Sequence, residues 1–297
     1  MFIDETRFCP LCGGKPKGFD FPFATEFNTK YFYYFKCAKC GSVFVNPLPD
    51  TDTFSKMYVK SQYHDKHYEG KDSGAYVEYI ESARLLRQYL NQGSLVLDYG
   101  CGTGGFLNAL KSEGFIPYGV EFDKDAAIFA SQQAECEALS VDEFFALSDK
   151  PNFDAIHLGD VLEHLPYPDD TLKQLLSYLR PNGILFVEGP LEINPSPVFW
   201  AAYMFGAIKH IFKPNFISNH PPTHLFRTGS RQQFDFFKNI SPELELEYSC
   251  VYETGWPYLH GGMLKHVIAN IAIILGGFSI GNITFGNRFK AIYTKRI

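Results

Sequence analysis

An apolar triplet, Leu95-Val96-Leu97, runs into Asp98 and then into Tyr-Gly-Cys-Gly-Thr-Gly-Gly before Phe106-Leu107-Asn108-Ala109-Leu110 resumes an apolar rhythm. The triplet reads as a buried strand and the later run as the start of a helix, with Gly100, Gly102, Gly104 and Gly105 between them. A strand that turns into a helix through glycines opens a βα unit, and such a turn presents backbone N–H groups to a nucleotide-like ligand. Gly100, Gly102 and Gly105 satisfy G-x-G-x-x-G, and an acid follows about twenty residues on. That test alone admits NAD as the ligand.

The surrounding sequence continues the alternation. Residues 75–91 predict an amphipathic helix, with Val77, Ile80, Arg84, Arg87 and Tyr89 set among Ala83, Leu86 and Leu90. Strands are expected at 95–99, 117–121, 154–159 and 184–188 with helices between them, the order of a doubly wound α/β fold with parallel strands. A helix at about 229–239 and strands at 243–252 and 288–295 complete the sheet, while 195–222, with five prolines and few acids, reads as an insertion or lid. The chain of 297 residues is 45% hydrophobic and 20% charged, enough for one large globular domain plus a small module. Its formal charge of −6 argues against a chain-wide attraction to nucleic acid. The N-terminus shows no secretory pattern, and the apolar run at 267–275 is too short to span a bilayer, so the expected location is the cytosol. There thiols stay reduced, and clustered cysteines point to metal.

Cys9-Pro-Leu-Cys12 and Cys37-Ala-Lys-Cys40-Gly are such a cluster, two C-x-x-C knuckles 24 residues apart. Each knuckle turns tightly enough to aim two thiolates at one tetrahedral ion, with Gly13 and Gly41 suited to the turns. An alternating strand over residues 31–35 leads into the second knuckle, the layout of a zinc ribbon. No open coordination position is apparent, so the expected Zn2+ is structural and holds a module too small to fold on its own core.

Asp98 argues against NAD. It closes the strand two residues before the first glycine, where a buried carboxylate repels a pyrophosphate but attracts an ammonium group. S-adenosylmethionine carries such a group, and a ribose that Glu121, closing the 117–121 strand, can hold by both hydroxyls.

"LDYGCGTGGF", "YGVEFD", "FDAIHLGDVLEHLPYP" and "LRPNGILFVEGP", in this order and spacing, resemble the class I S-adenosylmethionine-dependent methyltransferases. The knuckles followed by "CGSVFVNPLPD" resemble a bacterial branch in which a zinc ribbon precedes that domain, whose members often modify sugars or other small metabolites. The likeness covers residues 9 to about 190; "THLFRTGS" and "GNRFKAIYTK" extend it thinly. It implies a doubly wound, seven-stranded Rossmann-like sheet over 49–297 behind a ribbon over 1–48, with a lid at about 192–228. It also implies that Asp98, Gly100 and Gly102 line the methionine end, with Cys101 filling the turn as a small residue. Glu121 and Phe122 then fall at the ribose, and Val141 and Asp142 at the adenine. The family often has an acid where Val141 stands, which leaves Asp142 to contact the adenine amino group. Asp160 would lie under the sulfonium.

A sugar hydroxyl or carbon acid must lose a proton when it is methylated, so a base is expected. Glu163 and His164 follow the 154–159 strand, and His164, with an ordinary pKa near neutrality, suits that role; both could equally cap the next helix. Asp160, Glu163 and His164 could instead hold a divalent ion, as in a related quinone methyltransferase group. His224 would approach the acceptor from the lid, while His210, His220 and His260 read as surface or packing residues. Tyr63 and Tyr68 would close over the methionine end. The nearly all-apolar stretch 198–212 reads as a buried helix, a subunit contact or a specificity lid in preference to a peripheral membrane helix. The leading expectation is methyl transfer to a saccharide or nucleotide-linked sugar. The alternatives are an RNA methyltransferase whose ribbon lysines (Lys15, Lys17, Lys30, Lys36, Lys39) hold RNA, and a non-catalytic binding protein on the same fold. The oligomeric state stays open.

Overall fold

The computed structural model describes residues 7–58, 73–213, 216–281 and 283–296, without the side chains of residues 73–76 and 260; Tyr63 and Tyr68 lie outside the described residues. Three antiparallel strands come first: β1 (Pro16–Phe27), β2 (Lys30–Cys37) and β3 (Val43–Asn46). Alternation sends Phe32 and Tyr34 of β2 to the same face as Val43 and Val45 of β3, and these four form a buried cluster.

The main sheet is assembled around the strand that ends in the glycine turn. Its parallel members are β4 (Leu95–Tyr99), β5 (Ile116–Glu121), β6 (Glu137–Ser140), β7 (Phe153–Gly159) and β8 (Leu179–Pro190). The short β9 (Phe226–Arg227) returns to the first sheet and pairs with β3. Then β10 (Leu244–Tyr252) joins the main sheet, β11 (Ser279–Ile280) and β12 (Ile283–Thr284) make a small hairpin, and β13 (Arg288–Lys295) inserts antiparallel between β8 and β10. The seven-stranded order is β10-β13-β8-β7-β4-β5-β6. The chain leaves β4 first toward β5 and later returns beside it as β7, so the switch point of the sheet lies at the carboxyl end of β4, where such folds bind ligands.

Both faces of the sheet are covered, which is why its central strands are apolar on both sides. Val96 packs with Leu86, Phe106 and Leu110 on one face; Leu97 packs with Leu172, Leu175 and Phe237 on the other. Phe44, Phe226, Cys9 and Cys37 belong to the second cluster, so the cysteine-bearing sheet is seated on the main core.

Two expectations change. The helix predicted over 75–91 runs Ser73–Leu86, because Gln88 and Tyr89 switch to i→i+3 bonds onto Leu85 and Leu86 and tighten the end. The 198–212 stretch is a helix, Pro197–Phe212, capped by the Ser196 hydroxyl accepting from the Val198 and Phe199 N–H groups, but it is not a buried one: Val198 is its sole buried residue.

Candidate functional site

A cavity of about 630 Å³ opens at the carboxyl ends of β4 and β5. Gly100 and Gly102 form its floor from the turn after β4, and both have positive φ, +86° and +54°. At Gly100 a Cβ would stand 2.2 Å from the Val161 Cγ2, so the turn closes only without a side chain. Glu121, closing β5, is buried and faces the same cavity. One of its oxygens accepts from the Gly102 N–H at 2.8 Å and the other from the Phe122 and Asp123 N–H groups at 2.8 and 3.3 Å. Burial raises its pKa, and those three N–H groups oppose the rise. The carboxylate thus ties the glycine turn to the end of β5.

Phe122 lines the cavity and meets Phe54 edge-on at 5.1 Å and Tyr58 at 6.0 Å, both from or beside the helix Thr51–Met57. Val141, which opens the helix Val141–Ala146, is also on the wall; Asp142 follows it in the first turn and is not. Cys101 is buried off the wall, its thiol pushed up chiefly by burial.

Asp98 is buried and is not on the wall either. Its Oδ1 lies 2.7 Å from Nδ1 of His157, whose Nε2 lies 3.2 Å from Glu188. Glu188 in turn accepts from the Ser82 hydroxyl at 3.0 Å and pairs with Lys290 at 2.9 Å. Burial works against a charged His157, yet the two carboxylates raise its pKa to about 9. Burial likewise works against a charged Glu188, and His157 with Lys290 pulls it down to about 2. Two anions and two cations therefore alternate, the condition under which buried charges are tolerated. Only Asp98 of these four was singled out from sequence; a histidine within β7 and a glutamate within β8 are the signal, since a charge in a doubly covered strand demands a partner.

After β7 the chain carries Asp160, Glu163 and His164. Asp160 sits at φ +53°, lines the cavity and accepts from Arg288 of β13 at 2.8 Å, an ion pair between residues 128 apart in sequence. His164 lines the cavity, and its Nδ1 lies 2.8 Å from the Thr223 carbonyl and 2.9 Å from the Tyr58 hydroxyl. A carbonyl only accepts, so Nδ1 carries the proton in this arrangement and Nε2 the lone pair. The expected near-neutral pKa does not hold. Burial, then the neighbouring His224, lowers it to about 3.

His224 is off the cavity wall, its ring 4.8 Å from that of His164. Glu192, 2.9 Å from its Nδ1, raises its pKa to about 9 against the effect of burial. Arg227 flanks the same carboxylate at 3.4 Å, and burial is outweighed to hold Glu192 near about 2. Glu163 is buried with its Oε1 unbonded, 3.9 Å from His164 Nε2, and burial holds it well above the usual carboxylate range. Among the described residues the ligand atoms that converge within 4.8 Å here are those of Glu163, His164 and His224. Asp160 is not in this group; its carboxylate pairs with Arg288.

The four knuckle cysteines converge separately, their sulfurs all within 4.8 Å of one another. Cys9 and Cys40 are 3.8 Å apart and Cys12 and Cys37 3.5 Å, too far for disulfides. Four thiolates around one ion with bonds of about 2.3 Å sit about 3.8 Å apart. The Lys39 and Cys40 N–H groups point at Cys37 Sγ at 3.3 and 3.5 Å, the Ser42 hydroxyl touches Cys9 and Cys40, and Gly13 and Gly41 turn at positive φ. A Cβ on Gly14 would come within 2.7 Å of Cys37 Sγ. The donor set and spacing fit a tetrahedral metal.

A family model described as a methyltransferase domain matches residues 73–224. The ubiquinone biosynthesis O-methyltransferase of Glaesserella parasuis is 28% identical over 159 residues, 48% of this chain and 66% of that protein. The protein of the same name from Coxiella burnetii is 32% identical over 115 residues, 37% of this chain and 47% of that one. The chain thus spans between about half and two thirds of the length of these curated relatives. Among solved structures, a chain from the complex of the Haloferax volcanii Trm112 methyltransferase activator with a methyltransferase superposes with a TM-score of 0.55 at 14% identity, covering 81% of this chain and 98% of that one. That likeness is one of fold.

Proposed function

The chain belongs to the methyltransferase domain family, and from that premise we propose that it transfers a methyl group from S-adenosylmethionine to a small-molecule hydroxyl. The observation that carries the reading is Glu121: a buried carboxylate on the cavity wall, braced by the Gly102 N–H at the switch point of the sheet. It would accept from the ribose hydroxyls, Phe122 and Val141 would flank the adenine, and Asp142, in the first turn behind Val141, would serve the amino group. Gly100, Gly102 and Asp160 border the methionine end, with Cys101 packing the turn. Asp98, its charge held by His157, sets the potential felt by the ammonium group.

Bound there, the cofactor supplies an electrophilic methyl group. The protein contributes position, exclusion of water and a path for the acceptor's proton. His164 takes that proton at Nε2, and Glu163, 3.9 Å away, stabilises the imidazolium that results. Cationic His224 keeps His164 unprotonated until then, so His224 is a positioning residue in this scheme. Phe54, Tyr58 and Tyr167 on the wall favour a flat aromatic acceptor, and the curated relatives are named as O-methyltransferases of ubiquinone biosynthesis. A phenol is therefore the first acceptor class and a saccharide the second. Cys9, Cys12, Cys37 and Cys40 hold a structural zinc ion. Residues 1–48 act as the ribbon and 49–297 as the transferase domain, with 192–228 covering the acceptor.

Calorimetry with S-adenosylmethionine, followed by acceptor screening across phenols and nucleotide-sugars, tests the reading. Glu121→Ala should weaken cofactor binding by about 1–3 kcal/mol, the cost of a lost buried partner. His164→Ala should lower kcat by about 10²–10⁴-fold with cofactor affinity kept. Absence of S-adenosylmethionine binding by the intact chain would overturn the proposal.

A further inference from the structure

The helices Pro197–Phe212 and Met263–Leu275 pack against each other through small groups: Ala201, Ala269 and Ala272, with Val198 and Tyr258, form a cluster of their own. Tyr203 and Trp200 of the first helix meet Phe21 and Phe285, while other large side chains stand in solvent. Ile211 is 74% exposed, Phe212 80%, Met263 86% and Ile274 80%. The adjoining hairpin continues the surface with Phe278 and Ile280. Monomeric proteins rarely leave so many large apolar side chains together in water, and such patches mark interaction sites.

The segments that carry this face hold cations and no acids. No Asp or Glu occurs between Glu192 and Asp235 or after Glu253, on a chain whose formal charge is −6. Lys209, Lys213 and Lys265 stand on or beside the two helices, and no ion pair is formed by them among the described residues. Two occupants would cover apolar surface here, and the lysines distinguish them. A second copy, related by a two-fold axis, would bring the same cations together with no carboxylate on either segment to offset them. An anionic bilayer surface would accept the apolar side chains at the acyl boundary and attract the lysines at the headgroups. No helix of the described residues is long and apolar enough to cross a membrane, so the contact is one of lying on the surface.

We propose that this two-helix face docks the protein onto an anionic lipid bilayer. The inference is independent of the methyl-transfer reading and is tested without any turnover. Trp200, on the first helix, and the exposed Trp256 beside the second are the chain's two tryptophans, so intrinsic fluorescence reports on this lobe alone. The full chain should float with vesicles of phosphatidylcholine mixed with phosphatidylglycerol, with a blue shift of tryptophan emission. Retention should fall at least about tenfold on pure phosphatidylcholine vesicles or at high salt. Ile274→Glu and Phe212→Glu alter exposed positions, so they should keep the wild-type melting temperature while losing at least about tenfold in retention. Three results would overturn the proposal: no flotation with either vesicle, equal flotation of wild type and variants, or a wild-type dimer in light scattering that the same substitutions dissociate without vesicle binding. The last would assign the face to a second copy of the chain.

Discussion

Replacing His157 by Asn would expose how much of the fold rests on one buried charge. His157 stands between Asp98 at 2.7 Å and Glu188 at 3.2 Å, and its pKa rises from 6.5 to about 9 on folding. The fall at Glu188, from 4.5 to about 2, reflects His157 together with Lys290 and is not added to it. At about 1.4 kcal/mol per unit, the imidazolium contributes about 3 kcal/mol. Its folded pKa lies above the unfolded one, so the contribution is complete below about pH 6.5, declines as pH rises and is gone above about pH 9. Urea unfolding of wild type and His157→Asn across that window is the assay. Wild-type stability should fall by about 3 kcal/mol relative to the variant between about pH 6.5 and 9.5, the decline that His224 contributes in the same window being common to both proteins. At neutral pH the variant should be less stable by about 3–5 kcal/mol, since two carboxylates are left on one lysine. Parallel curves for the two proteins would refute the assignment of a cationic His157.

Metal analysis of protein prepared under reducing conditions should give one zinc per chain, and chelation should lower the melting temperature; zinc-free protein of unchanged stability would refute the Cys9, Cys12, Cys37 and Cys40 site. Gly100→Ala forces a Cβ to 2.2 Å from Val161 at φ +86°, so it should cost about 1–3 kcal/mol of stability and abolish cofactor binding in calorimetry. Adding Val161→Ala should restore part of the stability, because it removes the clash but not the backbone strain; a single variant as stable as wild type would contradict the tight turn.

Local patterns determined most of the architecture from sequence. The glycine turn after Leu95–Tyr99, the strand–helix alternation and the doubled C-x-x-C each depend on residues close together in the chain, whose geometry is set by backbone sterics and spacing. The four-residue β6, Glu137–Ser140, escaped because so short an edge strand has no period to read. The acid–base character of the site could not be read the same way. His164 looked like an ordinary near-neutral histidine, but its low pKa depends on burial, and then on His224, 60 residues later. Arg288 on Asp160, and Glu192 and Arg227 around His224, are likewise long-range pairs. The helix Pro197–Phe212 read as buried from its composition, yet whether an apolar helix is covered depends on what packs against it, and here small alanines make the contact and leave the large side chains outside. Proximity in sequence sets dihedrals and spacing; proximity in space sets dielectric, charge and cover, and those only the tertiary structure decided.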